Sequence, residues 1–334
     1  MYRSFVSGTE WNILTRRLEH DGTYWVAPVV LDDGAHEVCA VALMCLPSQR
    51  VVAIVLNSTT AAAPNADTGD SYYSDDDGAT WAAYSKGSIS GAVRPTFDIT
   101  GGNTAKASAV CSSTGNALLV IQTSASTSTV SQYASRDLGQ TWARVVETSS
   151  SAGTRHSTAV LPDGTFLVAY QLSNDFYVAR LGSAFQSYQD VTPTIVADTG
   201  IVDVDITVDA DGMVWLFGKD NTAGGAIQVL YSTDGARTFT QLDYGAVYVD
   251  SGSSNPTDIV TTSQGGKVVL NCTSTNATAP LGNSLMTILL GGWSSVTYVN
   301  EDQYSSALKG RIGFSEGNTA STFTGLSLIH ISEP

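Results

Sequence analysis

Charge is scarce in this chain of 334 residues. Asp, Glu, Lys and Arg make up 14% of it, and 16 Lys and Arg face 31 Asp and Glu, a formal net charge of −15. Nucleic acid and anionic membrane both need clustered cations, so the composition argues against either as a partner. The four cysteines, Cys39, Cys45, Cys111 and Cys272, show no C-x-x-C spacing, and three lie in apolar runs. Buried free thiols are expected, with no disulfide indicated, no metal site and no cofactor. No 18 consecutive apolar residues occur, and the opening Met-Tyr-Arg-Ser-Phe lacks the apolar stretch of a secretory signal. Membrane insertion is therefore not expected, and the sequons at Asn57, Asn271 and Asn276 are read as incidental. Helical periodicity is missing too, except over Glu10 to Leu18. What remains is a large all-β chain with ample apolar residues for a core.

What is present is a spelling that returns. Residues 74–81 read Ser-Asp-Asp-Asp-Gly-Ala-Thr-Trp, residues 135–142 read Ser-Arg-Asp-Leu-Gly-Gln-Thr-Trp, and a looser copy runs from Ser232 to Phe239 with Ala236 in the glycine's place. Each follows a short apolar or aromatic run and ends on a large aromatic, so each is expected to be a tight turn between two strands. The carboxylates of Asp76, Asp137 and Asp234 are expected to accept hydrogen bonds from loop N–H groups that the ladder leaves over. Gly78 and Gly139 suit positive φ, and Trp81, Trp142 and Phe239 are expected to fold back and fill space within their own hairpins.

A second rhythm is a pair of strands around a short turn. Val38–Leu46 turns into Val51–Leu56, Ala105–Cys111 into Ala117–Gln122, and His156–Leu161 turns at Pro162-Asp163-Gly164 into Phe166–Gln171. Val202–Val208 turns at Asp209-Ala210-Asp211-Gly212 into Val214–Gly218, Asp258–Thr262 into Val268–Cys272, and Tyr304–Leu308 into Ile312–Ser315. The turns recur at roughly 50 residues, the period of a four-stranded propeller blade.

The spelling S-x-D-x-G-x-T-W resembles the Asp-box of the sialidase-like β-propellers. The resemblance implies an all-β, six-bladed β-propeller of four-stranded antiparallel blades, with the sixth blade truncated at the C-terminus. It also implies that the boxes are rim turns remote from the catalytic face, so that Asp76, Asp137 and Asp234 are structural. Val178–Phe185 aligns as a decayed copy, with Arg180 in the aspartate's place and Phe185 in the tryptophan's, and Gly291-Gly292-Trp293 as a shortened remnant. Residues 1–21 form an N-terminal arm, either a hairpin or a short helix, and residues 22–325 the propeller, with Gly22–Val30 a candidate strand for closing the ring. Residues 326–334, Leu-Ser-Leu-Ile-His-Ile-Ser-Glu-Pro, match the translation of a transposon-based sequencing adapter. They are expected to be read-through in a frame assembled from environmental DNA, the natural chain being cut near Gly325.

Chemistry in a propeller gathers where the innermost strands begin. The polar residues there are His36, Glu37, Lys106, Arg155, His156, Asp203, Asp205, Asn255, Asp258 and Tyr304, a set suited to sugar hydroxyls and ring stacking. Asp203 and Asp205, two apart on one strand, share a face. Tyr304-Ser305 followed by Gly310-Arg311-Ile312-Gly313 and Glu316 is similar to the sialidase catalytic run. The resemblance implies that Tyr304 attacks the anomeric carbon and Glu316 steadies an arginine. The tyrosine needs a carboxylate base, for which Asp203, Asp205 and Glu147 are candidates, and Asp67 and Asp70 stand where an acid/base aspartate is sought. The family's Arg-Ile-Pro, whose arginine clamps the substrate carboxylate, is replaced by His36-Glu37-Val38, and Arg94 and Arg155 are the substitutes on offer.

Two readings stand side by side. One is a non-catalytic or degenerate propeller that binds glycans or serves as a structural module of a phage tail or cell surface, placing it on a virion or outside the cell. The other is an exo-sialidase-type glycoside hydrolase with a tyrosine nucleophile. A carbohydrate is the expected partner in both.

Overall fold

The structure is a computed structural model that describes residues 2–7, 10–15, 17, 26–32, 37–58, 66–84, 107–122, 129–149, 156–172, 175–191, 201–220, 226–241, 247–248, 256–264, 267–274, 283–289, 292–293 and 297–298. Everything regular among them is β-strand. The first sheet is three-stranded, β1 (Tyr2–Ser7), β2 (Glu10–Thr15) and β3 (Val29–Asp32). The second runs β4 (Glu37–Cys45), β5 (Val51–Ser58), β6 (Ala66–Ser74) and β7 (Ala82–Ala83). The third runs β8 (Ala107–Cys111), β9 (Ala117–Gln122), β10 (Thr129–Ser135) and β11 (Ala143–Ser149). The fourth is β12 (His156–Val160), β13 (Phe166–Leu172), β14 (Asp175–Leu181) and β15 (Tyr188–Val191). The fifth follows with β16 (Ile201–Val208), β17 (Val214–Asp220), β18 (Ala226–Ser232) and β19 (Thr240–Gln241), plus β20 (Val247–Tyr248) paired to β18. The sixth is β21 (Pro256–Gln264), β22 (Lys267–Ser274), β23 (Asn283–Leu289) and β24 (Gly292–Trp293), plus β25 (Thr297–Tyr298) paired to β23. The chain divides into two compact units, residues 1–166 with 180–189, and residues 167–179 with 190–334.

The first strand pairs fall where turn chemistry placed them, from β4–β5 to β21–β22. The pair expected from Tyr304 to Ser315 lies outside the described residues. The register also lines up equivalent rows across sheets. Ala42 stands opposite Ile54 and Ile54 opposite Ser71 in the second sheet, and Ser108 opposite Val120 and Val120 opposite Gln132 in the third. In the fifth, Asp205 stands opposite Phe217 and Phe217 opposite Val229.

Glu10–Thr15 is a strand, which decides between the hairpin and the helix expected for the arm. Its residues alternate in burial as a strand requires, with Ile13 at 0% and Thr15 at 6% exposure on either side of a half-buried Leu14. Partners on both sides, β1 and β3, override a weak helical period. Val29 and Val30, the described end of the proposed closing segment, pair with Thr15 and Leu14 of β2.

Alternation also settles where the core lies in the first unit. One face of β4 and β5, carrying Met44, Val52 and Ile54, packs against Leu119, Ile121 and Trp142 of the third sheet. The other face, carrying Ala53 and Val55, packs against Ile13 and Leu31 of the first sheet, with Trp81 alongside. Trp142, at 1% exposure, thus seals a seam between sheets rather than filling space inside its own hairpin.

Candidate functional site

The repeated turns form because a strand that ends on serine leaves its next N–H groups without ladder partners. Ser74 Oγ donates to Asp76 Oδ1 at 2.8 Å and accepts from the Gly78 N–H at 2.7 Å. Asp76 in turn accepts from the Thr80 N–H at 2.8 Å and the Thr80 hydroxyl at 2.6 Å. Ser135, Asp137, Gly139 and Thr141 repeat these bonds, and so do Ser232, Asp234, Ala236 and Thr238. Each turn needs two successive left-handed residues: Asp77 and Gly78 at φ 56° and 84°, Leu138 and Gly139 at 61° and 80°, Gly235 and Ala236 at 72° and 63°. Thr80's hydroxyl and N–H, then Ser74, hold the Asp76 carboxyl down at about 2. Burial pushes Asp137 and Asp234 up, but their threonine, serine and backbone donors outweigh it and both end below the usual carboxylate range. Every carboxylate oxygen is thus spent on its own loop. Trp81 is half-buried, its Nε1 donating to Gly78 O at 3.2 Å, and Phe239 is half-buried as well.

The aligned copy at residues 178–185 is corrected by the structure. Val178 and Arg180 lie within β14, which ends at Leu181, so Leu181 stands where the serines end their strands. The turn is a shorter one, closed by the Phe185 N–H on Gly182 O at 2.7 Å and the Gly182 N–H on Ser187 O at 3.0 Å. Phe185 does take the tryptophan's packing role, stacked on Phe166 at 4.9 Å between centroids. Bonds also run from one turn region to the next: Tyr84 hydroxyl to Leu138 O at 3.2 Å, Arg136 Nη2 to Ala184 O at 3.0 Å, and Asn116 Nδ2 to Ser183 O at 2.8 Å.

Among the residues expected at the starts of the inner strands, three have described side chains, and all three are buried: His156 at 3% exposure, Asp203 at 1% and Asp205 at 9%. His156 opens β12 and sets Nε2 3.1 Å from Val120 O. Asp203 Oδ1 accepts from the Val204 N–H and Asp205 Oδ1 from the Ile206 N–H, each at 3.0 Å. The backbone places Glu37 opposite Ser58 at the start of β4, Asp70 opposite Val55 in β6, and Asp258 opposite Thr273 in β21. Tyr304, Arg94, Arg155, Arg311 and Glu316, and the stretch 326–334, lie outside the described residues. No group of three or more metal-ligating side chains occurs among the described residues.

Two thiols differ from expectation. Cys45 is free but exposed, and Cys111 is free and half-buried, where burial and then the neighbouring Cys45 push its thiol up to about 11. Alternation explains Cys45: Met44 takes the buried face of β4, so the next residue points out. Sequence reasoning passed over Gln132, a fully buried amide in β10, and the bond by which the turn residue Asp209 accepts from Trp215 Nε1 at 2.9 Å. The flanking pattern Val130-x-Gln132-x-Ala134, all one face of a strand, was the available signal for the first.

No protein-family model matches the chain, and no curated protein matches its sequence. Solved structures do match in shape. A lectin of Aleuria aurantia bound to α-methyl-L-fucoside superposes with a TM-score of 0.55 at 12% identity, covering 90% of this chain and 95% of its own. The likeness is one of fold, a β-propeller. The Hadza microbial sialidase Hz136 matches with a TM-score of 0.53 at 15% identity over 80% of this chain and 58% of its own length. A GH93 α-L-arabinofuranosidase of Fusarium graminearum, in complex with arabinobiose, matches with a TM-score of 0.53 at 14% identity over 78% of this chain and 79% of its own.

Proposed function

We propose that the chain is a six-bladed β-propeller of the sialidase-like, Asp-box kind that recognises glycans without hydrolysing sialosides. The observation that carries the reading is the near end-to-end match to a fucose-binding propeller lectin, 90% of this chain on 95% of that one. The recurring Ser-x-Asp turns are the Asp-boxes of this propeller, and the saturation of their carboxylates by their own loops is what a structural role requires. Glycan contacts fall to the starts of the inner strands, where Arg155 and His156 adjoin, with Asp203, Asp205, Asp258 and Tyr304 as further candidates and Arg94 at the side. Glu37, opening the first inner strand, opposes an anionic sugar because a carboxylate there repels the substrate's own. A virion or cell-surface setting suits a binding module of this kind.

The second reading, an exo-sialidase, is favoured by Tyr304 with Arg311 and Glu316, and by the sialidase among the structural matches. The two part in one assay, hydrolysis of a fluorogenic sialoside by the purified chain beside Tyr304→Phe. No turnover by either protein supports the binding module. Robust turnover that Tyr304→Phe abolishes establishes the hydrolase, with Asp70, Asp203 or Asp205 then sought as its acid or base.

A further inference from the structure

The third sheet turns one face to the second sheet, and β12 lies beside its strands β8 and β9. Toward the second sheet it shows Ala117, Leu119, Ile121, Tyr133 and Trp142. The opposite face carries the row Ser108, Val120 and Gln132, one residue from each of three neighbouring strands. Gln132 is 0% exposed, yet neither its Nε2 nor its Oε1 has a hydrogen-bond partner in the protein, and the buried Oγ of Ser108 has none either. Between them Val120 offers its carbonyl to His156 Nε2 at 3.1 Å. All of these residues belong to the first compact unit.

A buried primary amide left unpaired at both ends is among the costlier arrangements in a protein interior, and natural folds avoid it. The usual remedy is internal water, which needs a polar site and two to four partners. The amide's two donors and its acceptor, with a hydroxyl in the same row, meet that need. Equivalent rows act as internal controls. The second sheet has Ala42, Ile54 and Ser71 there, with one hydroxyl that is likewise buried without a partner but no amide, and the fifth has Asp205, Phe217 and Val229, again with no amide.

We propose that this row is a buried water-binding site of the third sheet, in which ordered water bonds Gln132 and Ser108 on either side of Val120, whose carbonyl meets His156 of β12. The site does not depend on the glycan reading.

A high-resolution crystal structure of the full chain, beside one of Gln132→Met, tests this. The wild type is expected to show water within hydrogen-bonding distance of Gln132 and Ser108, and the variant, matched in length but without the amide, is expected to lose it. Urea unfolding gives a second readout that does not need crystals. Removing a bridged amide lowers the midpoint, whereas removing an orphaned one raises it. A dry row, an amide turned to protein partners, a solute other than water, or a raised midpoint for Gln132→Met overturns the proposal.

Discussion

A Cβ placed on Gly139 would stand 2.8 Å from Cε of Met44, a residue of the neighbouring sheet. The same position in the first repeat, Gly78, has only the ring of Trp81 near it, at 3.6 Å, and both glycines sit at positive φ. One repeated turn therefore carries a conformational demand alone, and the other carries a demand for closeness between sheets as well.

Gly78→Ala is expected to cost about 1 to 2 kcal/mol, the strain of a left-handed alanine. Gly139→Ala is expected to cost more, by up to about 1 to 3 kcal/mol, because Met44 has to move within a packed seam. Urea midpoints of the two variants check the order. Equal losses would mean that the seam is loose.

The tryptophans should separate in the same way. Trp142→Ala is expected to lose about 3 to 5 kcal/mol as a fully buried ring removed from a seam, and Trp81→Ala clearly less, its ring being half-buried. Trp142→Phe is expected to cost less than Trp142→Ala, since the Trp142 Nε1 has no hydrogen-bond partner to lose. A larger loss for Trp81→Ala than for Trp142→Ala would reverse the packing account.

Acid should loosen the turns. The carboxyls of Asp76, Asp137 and Asp234 are held below their ordinary value of 3.8 in the folded chain, so each binds a proton more weakly folded than unfolded. Their contribution is complete above the unfolded value and disappears as pH falls through the folded one, about 2 for Asp76. Urea midpoints are expected to hold steady above about pH 5 and to fall between about pH 4 and pH 2. Asp76→Asn, which cannot titrate, should flatten part of that fall. A midpoint constant across the whole range would show that the carboxylates do not support the turns.

These quantities show what the sequence made legible. Turn chemistry was local, so Asp76 could be read as an acceptor of loop N–H groups and Gly78 as a positive-φ position from the spelling alone, though the Ser74 and Thr80 hydroxyl bonds were not, and the strand pairs flanking Pro162-Asp163-Gly164 and Asp209-Ala210-Asp211-Gly212 followed. Packing between sheets was not local. Nothing in the spelling around Trp142 says that Met44 and Val52 lie against it, and the decayed copy at Phe185 hid a shorter turn because only the aromatic was kept. Of the strand starts expected to carry chemistry, His156, Asp203 and Asp205 have described side chains. Their burial was not legible, because it depends on what lies across each strand.

The central claim, that this propeller recognises glycans, is tested most directly by binding of the purified chain to a glycan array beside Arg155→Ala. Binding to a defined set of sugars, weakened by that substitution, is the expected result. No glycan bound above background by either protein would contradict the claim and leave the propeller a scaffold.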